Sequence, residues 1–216
     1  MSPSNKEGHS TPRLYDRKMK SAAAYVLAGG RSSRMGTDKA FLELAGKPLI
    51  VRAVKVAREA VGDVKIVGDP RKFAAFGPVI EDVYRDRGPL GGIHAALINS
   101  AAEWNLILAV DLPFVPAQFL KYLLARAESS GATVTVPSVG GYFQPLCAVY
   151  RKPFLSVADR ALSQGTNKID QLFREVTLCT VAEVDMIASG FDSLIFRNLN
   201  TPEEWQAAKR DFASNS

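Results

Sequence analysis

Histidine and cysteine are scarce in this 216-residue chain, at two each. His9 falls near the start and His94 within an apolar helical stretch, where a structural role is expected. Cys147 and Cys179 match neither a metal-ligand nor a redox spacing, and their apolar surroundings read as buried thiols of a reducing compartment. Long hydrophobic runs are missing too. None reaches the roughly 18 residues that a membrane helix needs, and the opening MSPSNKEGHSTPR has no apolar segment of the kind a secretory signal carries. A cytoplasmic protein without a membrane partner is expected. Basic excess is also slight once located. Lys6, Arg13, Arg17, Lys18 and Lys20 against Glu7 and Asp16 put three of the five net positive charges in the first 20 residues, leaving two for the remainder. No nucleic-acid face follows from such a balance.

What is present is an ordinary globular composition, 47% apolar and 23% charged, which argues against global disorder. The reading is a polar, basic tail over 1–20 and one domain over 21–213. From residue 23, short β-like runs alternate with helical ones, the pattern of a mostly parallel α/β sheet with helices on both faces. Strands are expected at Ala23–Leu27, Val64–Val67, Val79–Ile80, Leu106–Val110 and Thr133–Val136. Helices are expected after Pro48, over Gly91–Ser100 and over Pro116–Ser129. The second half is less regular. Tyr142–Tyr150 and Val176–Val181 read as strands, Pro153–Gln164 and Ile169–Phe173 as helices, and at least one strand should run antiparallel. Thr201, Pro202 and Glu204 form a capping box for a last helix.

In an open parallel sheet, ligands bind outside the carboxyl ends of the strands. Residues just after each strand therefore belong together: Leu27-Ala28-Gly29-Gly30, Gly68-Asp69, Glu81-Asp82 and Asp111-Leu112-Pro113. Glycines let a backbone approach phosphate or a base edge. Arg34 and Lys39 would balance a triphosphate. Asp111 ends the apolar run LILAVD, where an unpaired carboxylate is costly, and a hard cation such as Mg²⁺ would satisfy it. Plainer roles compete: Asp111 as a cap of its own turn, and Asp82 as a partner of Arg85 or Arg87. The stretch GGRSSRMG supplies neither the dinucleotide fingerprint nor the Walker loop.

The segment LAGGRSSRMGTDKAFLELAGKPL resembles the N-terminal signature of molybdenum cofactor guanylyltransferases, within the wider nucleotidyltransferase group. The likeness runs on through IEDVYRDRGPLGGIHAAL, LAVDLPFVP, YFQPLCAVY and FRNLNTPEEW, from residue 22 to about 210. It implies a single-domain, Rossmann-like nucleotidyltransferase fold. It also implies transfer of GMP from GTP to the terminal phosphate of molybdenum-molybdopterin cofactor, with Mg²⁺ as cofactor and molybdoenzyme-maturation proteins as further partners. Carried over by position, Leu27, Ala28, Gly29 and Gly30 would contact GTP, Lys39 the phosphates, Asp82 the guanosine portion, and Asp111 the metal. Asn198 and Asn200 match a pair near the pterin substrate or the metal. Some family members have Asn where this chain has Gly68, so that contact is either missing or moved to Asp69. The remaining readings are a relative that uses CTP or another phosphorylated acceptor, and a nucleotide-binding regulator without catalysis.

Overall fold

The run Ala22–Leu27 (β1) is buried at every position from Ala23 onward, on both faces of the strand. A strand can satisfy that only with a helical layer on each side. The computed structural model, which describes residues 21–29, 38–84, 87–197, 199, 204–206 and 208, places β1 inside an eight-stranded sheet. The other strands, in chain order, are β2 (Glu43–Leu44), β3 (Lys47–Pro48), β4 (Val64–Val67), β5 (Val79–Ile80), β6 (Trp104–Ala109), β7 (Val134–Val139), β8 (Tyr142–Phe143), β9 (Cys147–Arg151) and β10 (Leu178–Ala182). The sheet runs β10-β7-β9-β6-β1-β4-β5, with β8 added to β7, while β2 and β3 form a separate hairpin. β1 pairs in parallel with β4 and β6, and β4 in parallel with β5. β9 is antiparallel to both β6 and β7, which supplies the reversal expected in the second half.

The helices given bounds among the described residues are α1 (Leu49–Ala60), α2 (Pro70–Phe73), α3 (Gly88–Ile98), α4 (Ala117–Ser130), α5 (Phe154–Ser163), α6 (Ile169–Leu172) and α7 (Glu183–Ala188). Ala24 and Val26 of β1 face one apolar cluster with the inner residues of α1 and α4. Ala23, Tyr25 and Leu27 face the other, with α3 and α5. Alternation along one strand thus feeds two cores. α3 is buried almost all round from Leu90 to Leu97, because it lies between the sheet and α5. It comes so close that a Cβ on Gly92 would stand 3.2 Å from Leu27 Cδ2.

Several expectations shift. Pro48 pairs in the β2–β3 hairpin and acts as the N-cap of α1 instead of entering its first turn. The run Tyr142–Tyr150 is two strands. Gln144 N–H bonds the Pro137 carbonyl and Cys147 N–H bonds the Gln144 carbonyl, so the chain turns at Pro145, which has no N–H for a ladder. α2, α7 and the β2–β3 hairpin are additions to the sequence reading; each is six residues or shorter per element, too short to show a period. Cys147 is buried and its thiol is pushed up by burial, whereas Cys179 is only half-buried. The tail over 1–20 and the Thr201-Pro202 cap lie outside the described residues, although Trp205 and Ala208 of the last helix are buried. Among the described residues no helix is long and apolar enough to cross a membrane.

Candidate active site

Register decides which strand ends share a rim. Leu27 pairs with Val67 on one side and Ala109 on the other, and Val67 pairs with Ile80. The residues two places further on, Gly29, Asp69, Asp82 and Asp111, therefore leave the sheet at one level. Backbone bonds continue past the strands and lock this edge: Ala28 and Gly29 N–H both donate to the Val67 carbonyl (3.0 and 3.2 Å), Gly68 N–H to Ile80 (3.0 Å) and Val110 N–H to Leu27 (3.1 Å). The donors that a phosphate cradle would use at Ala28 and Gly29 are thus held within the sheet. What this pair offers a ligand is an exposed Gly29 with no side chain.

The carboxylates of the rim differ in what surrounds them. Asp111 is half-buried, and among the described residues no hydrogen bond or ion pair takes its carboxylate. Its turn is closed by backbone alone, Leu112 N–H to Ala109 carbonyl, so the capping alternative has no bond behind it. Asp82 is also half-buried; its Oδ1 has no partner, and burial raises its pKa. Its other oxygen would lie 4.0 Å from a Cβ placed on Gly91, at the start of α3. Neither Arg87 nor any other described side chain bonds it. Asp69 is satisfied. Its carboxylate caps α2 through Arg71 N–H (2.9 Å) and receives the Arg71 guanidinium at 3.0 and 2.7 Å, which holds its pKa down at about 2. The bare Gly68 beside it has a packing reason: a Cβ there would stand 2.8 Å from the Phe73 ring.

Lys39 opens a short 3₁₀ turn, Lys39–Phe41, capped by Asp38. Lys72 of α2 donates to Asp38 at 2.9 Å, and Phe41 stacks on Phe73 at 5.5 Å, so this turn is tied to the element that follows β4. Lys39 is thereby carried on the same end of the sheet as the carboxylates. Arg34 and Gly30 lie outside the described residues, as do Asn198 and Asn200. Arg197, the described residue ahead of position 198, places its guanidinium 4.5 Å over the ring of Phe114, in the loop behind Asp111. Leu199 is fully buried.

His94 was expected to be structural, and its surroundings are specific. It is buried on α3 with Nε2 3.3 Å from Asp159 Oδ1 on α5, its ring edge-on to Tyr84 at 5.0 Å, and Nδ1 without a partner. Tyr84 hydroxyl donates to the same Asp159 oxygen at 2.8 Å. This cluster was not anticipated; a lone Asp on the exposed side of an amphipathic helix gives no sequence signal. Among the described residues no three His, Cys, Asp or Glu side chains gather where they could hold a metal ion. A metal here would be held by one carboxylate and substrate oxygens, which is how Mg²⁺ is commonly bound.

A family model of the MobA-like NTP transferase domain matches residues 24–179. The chain is 34% identical over 200 residues, 92% of its length and 96% of the relative's, to a Pelotomaculum thermopropionicum protein named "Probable molybdenum cofactor guanylyltransferase". It is 33% identical, over 88% of its length and 96% of the relative's, to the molybdenum cofactor guanylyltransferase of Desulfosudis oleivorans. The fold is similar to the crystal structure of molybdopterin-guanine dinucleotide biosynthesis protein A from Archaeoglobus fulgidus, with a TM-score of 0.76 and 27% identity, covering 89% of this chain and 99% of that one.

Proposed function

The chain belongs to the MobA-like NTP transferase domain family, and on that premise we propose that it transfers GMP from GTP to the terminal phosphate of molybdenum-molybdopterin cofactor in the cytoplasm. The observation that carries this reading is the level rim on which exposed Gly29 and Asp111, whose carboxylate no described residue bonds, follow the paired ends of β1 and β6. A phosphate oxygen of the cofactor attacks the α-phosphorus of GTP. The bond from that phosphorus to the bridging oxygen breaks, and pyrophosphate leaves with the electron pair. The attacking oxygen is already anionic, so no Ser, Cys or His nucleophile is needed.

The protein's work is positioning and charge balance. Glycine at position 29 leaves room for the nucleotide to lie against the strand ends. Asp82, with an oxygen that finds no donor among the described residues, accepts from the guanosine portion. Lys39 and Arg34 neutralise the departing pyrophosphate. Asn198 and Asn200 would contact the pterin substrate. Asp69, bonded to Arg71, shapes the rim through α2, and any direct contact with the nucleotide would use its outer surface. The carboxylate of Asp111, which no described residue bonds, fits a hard cation, so Asp111 would hold Mg²⁺. When bound, Mg²⁺ offsets the negative charge of the phosphates and makes the α-phosphorus more electrophilic.

Pyrophosphate release should be measured across GTP, CTP, ATP and UTP, with and without purified molybdenum cofactor. The expected result is release with GTP and cofactor together, with a guanine dinucleotide as the second product. Release with CTP in its place, or with another phosphorylated acceptor but not molybdopterin, overturns the assignment. GTP binding without release under any acceptor makes the protein a regulator.

A further inference from the structure

The segment that carries Asp82 joins the end of β5 to α3, with Ile80 and Tyr84 packed on the core at either side of it. β5 is only two residues long, the chain leaves the sheet at Ile80, and Glu81 and Val83 are both exposed. The anchor beyond Asp82 is Tyr84. Its carbonyl lies where a Cβ on Gly91 would come to 3.0 Å, so the bare glycine lets the segment rest directly on α3. Its ring packs edge-on against His94, and its hydroxyl donates to Asp159 Oδ1 at 2.8 Å. His94 Nε2 reaches that same oxygen at 3.3 Å. One carboxylate on α5 thus gathers a hydroxyl from the rim segment and an imidazole from α3. The bond to Asp159 raises the Tyr84 pKa, so the hydroxyl keeps its proton and remains a donor at neutral pH.

We propose that Tyr84 is a positioning residue: its bond to Asp159, braced by His94, fixes the segment that presents Asp82 to the nucleotide. This rests on the reading of Asp82 given above. The orphaned Asp82 oxygen forms a good hydrogen bond only within a few tenths of an ångström of its proper place. Without the hydroxyl bond, the segment bearing Asp82 keeps the packing of Ile80 and Tyr84 on the core but loses its hydrogen bond to α5. Nucleotide binding weakens, whereas the groups at Asp111 and Lys39 stay where they are.

The test uses the whole chain and four variants, Tyr84→Phe, Asp159→Ala, Asp159→Asn and Asp82→Asn. GTP affinity is measured by calorimetry in Mg²⁺, and kcat and KM with molybdenum cofactor as acceptor. Tyr84→Phe keeps the ring against His94 and is expected to fold. Tyr84→Phe and Asp159→Ala should each weaken GTP binding about tenfold, the size of one lost hydrogen bond. KM for GTP should rise alike, with kcat at saturation within about twofold of wild type. Asp159→Asn keeps an acceptor for the hydroxyl and should return affinity to within about threefold. A merely structural bond predicts lower melting temperatures with unchanged GTP affinity, and that result overturns the proposal. Wild type binding GTP, Asp82→Asn weakening it and Tyr84→Phe leaving it alone would remove the positioning role but keep the function. Wild type failing to bind GTP, or Asp82→Asn having no effect on binding, removes both.

Discussion

Asp82 and Asp111 stand at the same rim, yet substitution should separate them by what each costs the fold. Asp111 is half-buried, with no partner among the described residues and no role in closing its turn. Asp111→Asn should leave the melting temperature within about 1 °C and lower kcat at least about 100-fold, the scale at which a lost electrostatic contact acts. Steady-state kinetics beside a thermal melt decide this, and wild-type turnover would sink the metal assignment. Asp82 works against stability. Burial lifts its folded pKa above the unfolded value, so its stabilising share is complete below the ordinary carboxylate range and lost as pH rises through the raised pKa. At pH 7 the charged carboxylate is therefore a cost. Screening by solvent at a half-buried site keeps that cost small. Asp82→Asn should raise the melting temperature by about 2 °C at pH 7, with the gain shrinking as pH falls toward 4, while GTP binding weakens. Asp69 follows the opposite sign. Its contribution through Arg71 persists above the ordinary carboxylate range and is lost only as pH drops toward about 2.

At the scale of elements, α2 gives the packing reason for a glycine at position 68. The Phe73 ring would lie 2.8 Å from a Cβ at position 68, and it is held by the stacked ring of Phe41. Gly68→Asn should therefore destabilise the protein by about 1–3 kcal/mol in urea titration and bring no gain in GTP affinity. Tighter GTP binding at unchanged stability would show that the ring yields. The strand ends at the rim were legible because an apolar run gives way there to a polar residue, as Asp111 follows β6 and Asp82 follows β5. α2 was not, since Pro70–Phe73 is one turn long and Asp69 reads equally well as a ligand or a cap. Nor was the Tyr84–Asp159 bond, which joins residues 75 positions apart with nothing in either neighbourhood to announce the other. The break at Pro145 was visible in principle. Aromatic and apolar residues on both sides of it outweighed one proline in the strand reading.

Across the whole molecule, four parallel strands contribute to a single edge, and the two cores meet on the opposite faces of β1. A ligand held at that edge touches the ends of β1, β4, β5 and β6 together, so its binding energy is set against unfolding of the sheet as a unit. A ligand at 100 times its Kd adds about 2.7 kcal/mol to stability. For a chain of this size that corresponds to about 5–10 °C in melting temperature. GTP with Mg²⁺ should produce a shift of that order, with CTP and ATP giving less at equal concentration. Asp111→Asn should keep the part of the shift seen with GTP alone and lose the increment added by Mg²⁺. Scanning calorimetry reads this directly. A shift confined to one part of a divided transition would mean that the strand ends at the rim unfold apart from the remaining sheet, and the shared edge would no longer be a single site.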